Sequence, residues 1–251
     1  MPSIDLNCDL GESFGAYTIG MDSAVIPYIT SANVACGFHA GDPLVMQKTV
    51  AACRVHGVHV GAHPGYPDLM GFGRRNIVAT PAEVKAYIQY QIGALSAYCA
   101  AAGVPLCHVK PHGAMYNMAA KDASLARAIC EGILEVNPRL TLLALSGSEM
   151  VRAAQALGLS VKSEVFADRG YQADGTLVPR SQPGAMVTDE EEAIARVIRM
   201  AKEGVVRSVD GVDVPLTADS VCVHGDGEKA LAFVRRIRAA LTDAGIEVRA
   251  L

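Results

Sequence analysis

The 251-residue sequence contains no tryptophan, and only 5% of its residues are aromatic. It also lacks clusters of Lys and Arg interleaved with aromatic residues, and its formal net charge is −4. Nucleic acid is therefore not an expected partner, because binding it requires a concentrated positive surface. No apolar run has the length and purity of a membrane span, and Asp5 and Asp9 interrupt any N-terminal signal segment. We predict a cytoplasmic protein without a membrane partner.

Compact cofactor motifs are missing as well. The sequence has no GxxxxGK[ST] and no GxGxxG segment, so it gives no reason to expect a phosphate-binding loop or a Rossmann dinucleotide site. It has no HExxH motif, and its seven cysteines include no CxxC pair. Scattered cysteines of this kind are typical of reduced thiols in a cytosolic protein.

Strand-like and helix-like segments alternate along the whole chain. Such alternation predicts parallel strands joined by right-handed helical crossovers. About seven repeats in one chain of this size predict a closed α/β structure, a seven-stranded TIM-like (β/α) barrel. The predicted strands are Ser3–Asp9, Ser31–Gly37, Val58–His63, Leu106–Lys110, Leu140–Leu145, Val161–Asp168 and Ser220–His224.

Helix-capping and turn residues predict the boundaries of several helices and strands. Asp42 is an N-cap candidate before a first-turn proline, and the tetrapeptides that begin at Thr80 and Thr188 both fit the capping box. An Asp-Gly turn between short apolar runs predicts a small hairpin around 206–215. With no linker rich in Pro, Gly and Ser, we predict one domain over 1–251.

The predicted strands share an unusual polar face. In the first strand Asp5, Asn7 and Asp9 have one parity, and apolar residues have the other. Such a face is expensive inside a barrel unless its groups bond one another, a ligand or a metal. Matching polar residues recur on five other strands: Asn33 with His39, His59 with His63, His108 with Lys110 and His112, Glu164 with Asp168, and His224 with Asp226.

Several of these side chains fall at the C-terminal ends of their strands, where barrel enzymes build active sites. We therefore predict a catalytic cavity there. One candidate chemistry is metal-assisted hydrolysis, with a divalent ion on Asp9, His39 and His63. The other is metal-free catalysis, with Asp9 as base and Lys110 or His112 stabilising an oxyanion.

Three further residues of the polar face have open alternatives. Lys110 lies inside a strand and should pair with a carboxylate or with substrate, and nearby carboxylates disfavour a Schiff base. Asp5, deeper in the barrel, is expected to be a structural partner of Lys110 or His108. Arg169, next to Asp168, either binds a substrate carboxylate or forms a surface ion pair.

Six distinctive blocks of sequence contain most of these candidate residues. They are DLNCDLGESFG (5–15), ANVACGFHAGDP (32–43), VGAHPGYPD (60–68), VKPHGAMYN (109–117), EVFADRGY (164–171) and VCVHGD (221–226). These blocks resemble the LamB/YcsF family, a lactam-utilisation group. The resemblance implies a seven-stranded barrel related to polysaccharide-deacetylase barrels. It also implies ATP-dependent opening of 5-oxoproline to glutamate, as one subunit of a 5-oxoprolinase that works with subunits B and C.

With that reaction in view, each candidate residue has a hypothetical role. Asp9 is the base, and His39 and His63 position water or a metal ion. Lys110 and His112 stabilise the oxyanion, and Arg169 holds the substrate carboxylate. Further candidates for substrate binding are Asn7, Glu12, Asp168 and His224.

Two rival interpretations remain open. One is a stand-alone metal-dependent amidase or deacetylase, active without ATP or partners. The other is a non-catalytic subunit whose cavity only binds a small acid. A reaction that uses ATP would require a nucleotide-binding motif that this sequence does not display, which leaves room for a partner subunit in the ATP step.

Overall fold

The computed structural model describes residues 2–223 and 228–251. The strands in those ranges alternate with helices until the last quarter of the chain, as the hydrophobic pattern predicts. They are β1 (Ser3–Leu10), β2 (Ser31–Ala35), β3 (His59–His63), β4 (Leu106–Val109), β5 (Thr141–Leu145), β6 (Val161–Phe166), β7 (Val205–Arg207), β8 (Asp213–Pro215), β9 (Ser220–Val223) and β10 (Glu247–Val248).

Seven of these strands close into a parallel barrel. Each of β1 to β5 pairs with the next strand, β6 pairs with β9, and β9 pairs with β1. The predicted seven-stranded barrel is therefore confirmed. The short β10 adds to the first residues of β1, and β7 and β8 form an antiparallel hairpin.

The helices cover the outside of the barrel. They are α1 (Asp22–Val25), α2 (Pro43–His56), α3 (Pro81–Ala102), α4 (Gly113–Ala119), α5 (Ala123–Val136), α6 (Glu149–Leu157), α7 (Glu190–Glu203) and α8 (Glu228–Asp243), with a 3₁₀ turn at Ile26–Tyr28. None of the helices in the described ranges is long and apolar enough to cross a bilayer.

The capping predictions hold at two of three positions. Asp42 accepts from two backbone N–H groups at the start of α2, and Thr80 forms the full capping box with Glu83. At α7 the prediction is wrong by one residue, since Asp189 rather than Thr188 is the N-cap. The Asp189 carboxylate accepts from the N3 backbone N–H, the role predicted for the threonine hydroxyl.

The barrel interior is polar and the surrounding layer is apolar. On β1 the residues Ile4, Leu6 and Cys8 are buried in the apolar core, whereas Asp5 and Asn7 are buried with polar partners. Gly61 on β3 makes room for this interior, because a Cβ atom there would lie 2.1 Å from His108 Nε2. The alternation of the strands thus separates a polar interior from an apolar shell.

Candidate active site

An open cavity of about 500 Å³ lies at the C-terminal ends of the barrel strands. The parallel strands all end at this mouth, so side chains far apart in sequence meet there. His39 lies behind the cavity wall, with its ring stacked on that of His112 at a centroid distance of 3.6 Å. The predicted site residues that line the cavity are Asp9, Glu12, His63, Lys110, His112 and Arg169.

Lys110 is buried under the cavity floor, with 2% of its surface exposed. Its ammonium nitrogen lies 2.9 Å from Asp9 Oδ1 and 2.8 Å from Glu164 Oε1. Burial favours the neutral amine, but the negative charges of Asp9 and Glu164 outweigh it and raise the pKa of Lys110 well above its usual range. Lys110 is therefore an ammonium ion, the wrong protonation state for a Schiff-base nucleophile.

Asp9 connects this lysine to the histidines. Its Oδ1 accepts hydrogen bonds from Asn33 Nδ2 and Lys110 Nζ, both at 2.9 Å. Its Oδ2 lies 3.3 Å from His63 Nε2, and the Asp9 side chain is 15% exposed where that of His63 is 1% exposed. Asp9 is thus held on one oxygen and accessible from the cavity.

Backbone carbonyls hold the rings of His63 and His112. His63 Nδ1 lies 2.7 Å from the carbonyl oxygen of Lys110, and His112 Nε2 lies 2.8 Å from that of Phe72. A carbonyl only accepts, so these two nitrogens carry the protons. Neutral His112 therefore has no N–H left for an oxyanion, which favours Lys110 for that predicted role.

Glu12 and His39 complete a group of possible metal ligands. The donor atoms of Glu12, His39, His63 and His112 lie within 4.8 Å of one another, and all four residues are buried. Burial lowers the pKa of His39 and of His112 well below its usual range, which keeps both imidazoles neutral, as metal ligation requires. The group differs from the predicted triplet, because Asp9 is absent from it and Glu12 and His112 are present.

Arg169 lines the cavity while holding the loop that follows β6. Its Nε and Nη2 donate to the carbonyl oxygens of Ala185 and Val178, at 3.1 Å and 2.7 Å. Burial, assisted by the positive charge of Arg180 and with Arg74 also near, lowers the pKa of Arg169 to about 10. The guanidinium remains charged at neutral pH, and these arginines make the cavity rim positive.

Apart from His39, two predicted site residues in the described ranges do not line the cavity. Asn7 lies beneath it, where it donates to Ser220 Oγ at 2.7 Å and accepts from Asn33 at 2.8 Å. Asp168 is half-buried in the loop after β6. His224 falls within 224–227, outside the described residues, as does Asp226 of the same polar face.

Asp5 does not meet Lys110 or His108, so that prediction is wrong. Lys110 extends toward the mouth to reach Asp9, and His108 bonds Asn33 Oδ1 at 2.7 Å. Burial raises the pKa of Asp5, although hydrogen bonds to its carboxylate oppose that rise. The donors of those bonds are the hydroxyls of Thr30, Ser31 and Ser220.

Sequence reasoning gave no role to three residues that shape the site. Glu164 is fully buried and accepts from Tyr116 Oη at 2.7 Å, besides its ion pair with Lys110. Its parity on β6 was the available signal. Tyr116 has no such signal, since it lies on α4, and Phe72 acts through its backbone. Phe72 adopts a left-handed φ of 53°, which no pattern of side chains reveals.

Comparison with known proteins agrees with the sequence blocks. The chain is 62% identical over 248 residues to the A subunit of 5-oxoprolinase from Clostridium beijerinckii, an alignment that covers 99% of this chain and 97% of that protein. The crystal structure of the lactam utilization protein from Thermus thermophilus superposes with a TM-score of 0.93 at 48% identity. It covers 99% of this chain and 100% of that one.

A more distant structure places the fold among the deacetylase barrels. A T48 deacetylase with substrate aligns with a TM-score of 0.51 at 16% identity, covering 98% of this chain and 87% of that one. Identity this low concerns the fold alone. The model of the LamB/YcsF family matches residues 4–251. From the first strand to its last residue, this chain therefore belongs to the LamB/YcsF family.

Proposed function

We propose that this chain is the lactam-opening subunit of an ATP-dependent 5-oxoprolinase, which converts 5-oxoproline (pyroglutamate) to L-glutamate together with subunits B and C. Relatives named as the A subunit of 5-oxoprolinase support the assignment. The observation that carries it is the contact of Asp9 with Lys110 and His63 on the floor of an open cavity. That contact places a base, a fixed cation and an imidazole within reach of one small molecule.

Asp9 is the general base in this proposal. Lys110 and Asn33 hold its Oδ1, and its Oδ2 takes a proton from the water that attacks the lactam carbonyl. As that water adds, the negative charge around the lactam oxygen and the phosphoryl group transferred to it is stabilised by the fixed ammonium of Lys110. The ring C–N bond then breaks, and the nitrogen leaves as the amine of glutamate after it takes a proton.

The positive rim recruits and orients the substrate carboxylate. Arg74, Lys121, Arg169 and Arg180 all line the cavity. The described hydrogen bonds of Arg169 use Nε and Nη2, so Nη1 is available to a ligand. A guanidinium paired with a carboxylate gives a strong, directional contact, and several cations at one mouth raise the local concentration of an anionic substrate.

The ATP-dependent step involves the other subunits of the complex. An unstrained lactam is a stable amide, and transfer of the terminal phosphoryl group of ATP to its oxygen, with ADP leaving, makes the carbon more electrophilic. Water addition and cleavage of the ring C–N bond then give the amine and an acyl phosphate, which a second water hydrolyses to glutamate and inorganic phosphate. This chain has no GxxxxGK[ST] segment to hold the nucleotide phosphates. A partner subunit therefore supplies at least part of the ATP site, which is consistent with relatives named as one subunit.

The buried histidine group favours a second candidate, a metal-dependent amidase that acts alone. One assay separates the two. Purified chain is incubated with 5-oxoproline, with and without subunits B and C, ATP and a chelator, and glutamate release is measured. We expect release only when ATP and both partners are present.

Two other results would overturn the proposal. ATP-independent release by the chain alone, abolished by chelator, would establish the stand-alone amidase. Turnover of the complex that survives substitution of Asp9 and Lys110 would make this chain a non-catalytic binding subunit.

A further inference from the structure

The C-terminal end of β3 and the loops after β1, β2 and β4 bring four donor atoms together beside the cavity floor. Glu12 Oε1 lies 3.4 Å from His39 Nε2 and 3.7 Å from His112 Nδ1. His112 Nδ1 in turn lies 2.9 Å from His63 Nε2. In a tetrahedral site with metal–ligand bonds of about 2.05 Å, neighbouring ligand atoms are about 3.4 Å apart. The observed separations fall on both sides of that value.

The rings of His63 and His112 each make a hydrogen bond on the side away from the other ring, and their remaining nitrogens face each other. His63 and His112 each donate their other N–H to a backbone carbonyl, so the facing nitrogens both lack a proton when the rings are neutral. Two lone pairs at 2.9 Å repel unless a proton or a metal ion lies between them. Metal-bound histidines typically have this second hydrogen bond to a carbonyl or carboxylate.

The hydrogen bond between His112 and the Phe72 carbonyl depends on a strained backbone conformation. Phe72 has a φ of 53°, a conformation that costs a non-glycine residue about 1 kcal/mol or more. The neighbouring Gly73 also has a positive φ, of 61°, and a Cβ there would lie 2.7 Å from His39 Cβ and 2.8 Å from His112 Cδ2. This turn therefore fits closely against both rings and aims the Phe72 carbonyl at His112.

His39 has no hydrogen-bonding role within the described part of the protein. It is 1% exposed, and neither ring nitrogen makes a hydrogen bond to any described residue. A buried imidazole without a partner loses its hydration and gains nothing in return. A ligand on Nε2, the nitrogen that faces Glu12, would compensate that cost.

Negative side chains also gather at the cavity floor. Among the described residues, Asp9, Glu12 and Glu164 bring three carboxylates to one connected set of contacts with the ammonium of Lys110. A divalent ion bound there would lie close to these carboxylates and be stabilised by their charge.

We propose that Glu12, His39, His63 and His112 bind a divalent transition-metal ion. Three imidazoles and one carboxylate form a donor set suited to zinc and to other borderline ions, rather than to magnesium or calcium. When bound, such an ion would polarise a carbonyl or lower the pKa of water at the cavity floor. Asp9 lies outside the ligand set and stays available as base.

The test is direct metal binding by the full chain, without lactam, ATP or partner subunits. Chain stripped with chelator is titrated calorimetrically with Zn²⁺, and bound metal is measured by mass spectrometry after desalting. We expect one ion per chain. Glu12→Gln and His39→Asn should each lower the affinity by at least about 10–100-fold, because loss of even an outer-shell partner has that effect.

His56→Gln is the matched control, since His56 is an exposed imidazole on α2. It should bind Zn²⁺ as the parent chain does. Circular dichroism shows whether each variant is folded, and Glu12→Gln conserves size in case a histidine variant is not. Wild-type chain that binds no ion, or equal affinity in Glu12→Gln and the parent, would overturn the site and leave the lactam assay unaffected.

Discussion

The barrel interior has two polar layers that behave differently. We call Asp5, Asn7, Ser31, Asn33, His108 and Ser220 the lower layer, and Asp9, Glu12, His39, His63, Lys110 and His112 the upper layer. In the lower layer none of the described side-chain nitrogen or oxygen atoms is buried without a hydrogen-bond partner. In the upper layer both ring nitrogens of His39 are buried without such a partner.

The contrast shows that burial of polar groups does not by itself mark a functional site. The lower layer contains an acid, two amides, two hydroxyls and a histidine. These groups form hydrogen bonds with one another, which compensate for the hydration lost on burial. The upper layer adds closely spaced ionisable groups and two facing ring nitrogens beside an open cavity. It is the incomplete satisfaction of the upper layer that indicates chemistry.

The largest expected effect comes from one substitution made in both layers. Asp9→Asn should lower turnover of the assembled complex by about 10²–10⁴-fold, because an amide cannot accept the proton of water. Asp5→Asn should leave turnover unchanged. Both variants are assayed for ATP-dependent glutamate release. Full turnover in Asp9→Asn, or an equal loss in both, would erase the distinction between the layers.

The next effect concerns the lysine that joins the layers. Lys110→Met leaves Asp9 and Glu164 buried without their shared cation, so the free energy of unfolding should fall by about 3–5 kcal/mol. Lys85→Met is the control, because Lys85 pairs with Glu135 on the surface and such pairs contribute about 0–1 kcal/mol. Urea unfolding measures both. Similar losses would mean that the buried contacts are as weak as the exposed one.

A smaller loss of stability is expected from Asp5→Asn. The amide nitrogen cannot accept the hydrogen bond that Ser220 donates to Asp5 Oδ2. One buried donor without an acceptor costs about 1–3 kcal/mol. Urea unfolding at neutral pH gives the value. If stability were unchanged while turnover fell, Asp5 would belong with the upper layer instead.

The last effect is a pH dependence of the lower layer, which develops gradually as the pH falls. Burial, reinforced by the charge of Lys110, lowers the pKa of His108 to about 3, against about 6.5 when unfolded. Because the folded-state pKa is depressed, the unfolded chain binds the proton first. Stability is therefore full above pH 6.5 and falls toward pH 3 by about 1.4 kcal/mol per pH unit.

His108→Gln isolates that contribution, since its amide N–H can still donate to Asn33 Oδ1. Urea unfolding of the parent and the variant between about pH 6 and about pH 4 gives two slopes, because that interval lies between the two pKa values. The free energy of unfolding of the variant should vary less steeply with pH, by the slope that corresponds to the uptake of one proton. Identical slopes would mean that His108 does not stay neutral when buried.

Much of the barrel was predictable because the signals are local. Capping residues, turn residues and alternation act within a few positions, and they placed all seven barrel strands in sequence order. The error at α7 is equally local, as Thr188 and Asp189 are both good N-caps and the chain uses the second.

The partners within the site were less predictable. Parity placed Lys110 and Asp9 on the interior, but their contact joins residues 101 positions apart. Asp5 was assigned the wrong partners for the same reason, since several interior donors compete for it and register decides among them. Glu12 was predicted for substrate binding, and it lines the cavity. Its position among the histidines was not predicted, because it follows β1 on a loop where parity no longer applies.

The sequence alone determined the alternation of elements, the polar face of the strands and the family resemblance, which comparison confirms over residues 4–251. These depend on spacing along the chain and on residue identity. Only the tertiary structure decided which polar residues satisfy one another and which remain incomplete, because that depends on barrel closure and strand register. The ring orientations of His63 and His112, held by two distant backbone carbonyls, show this most directly.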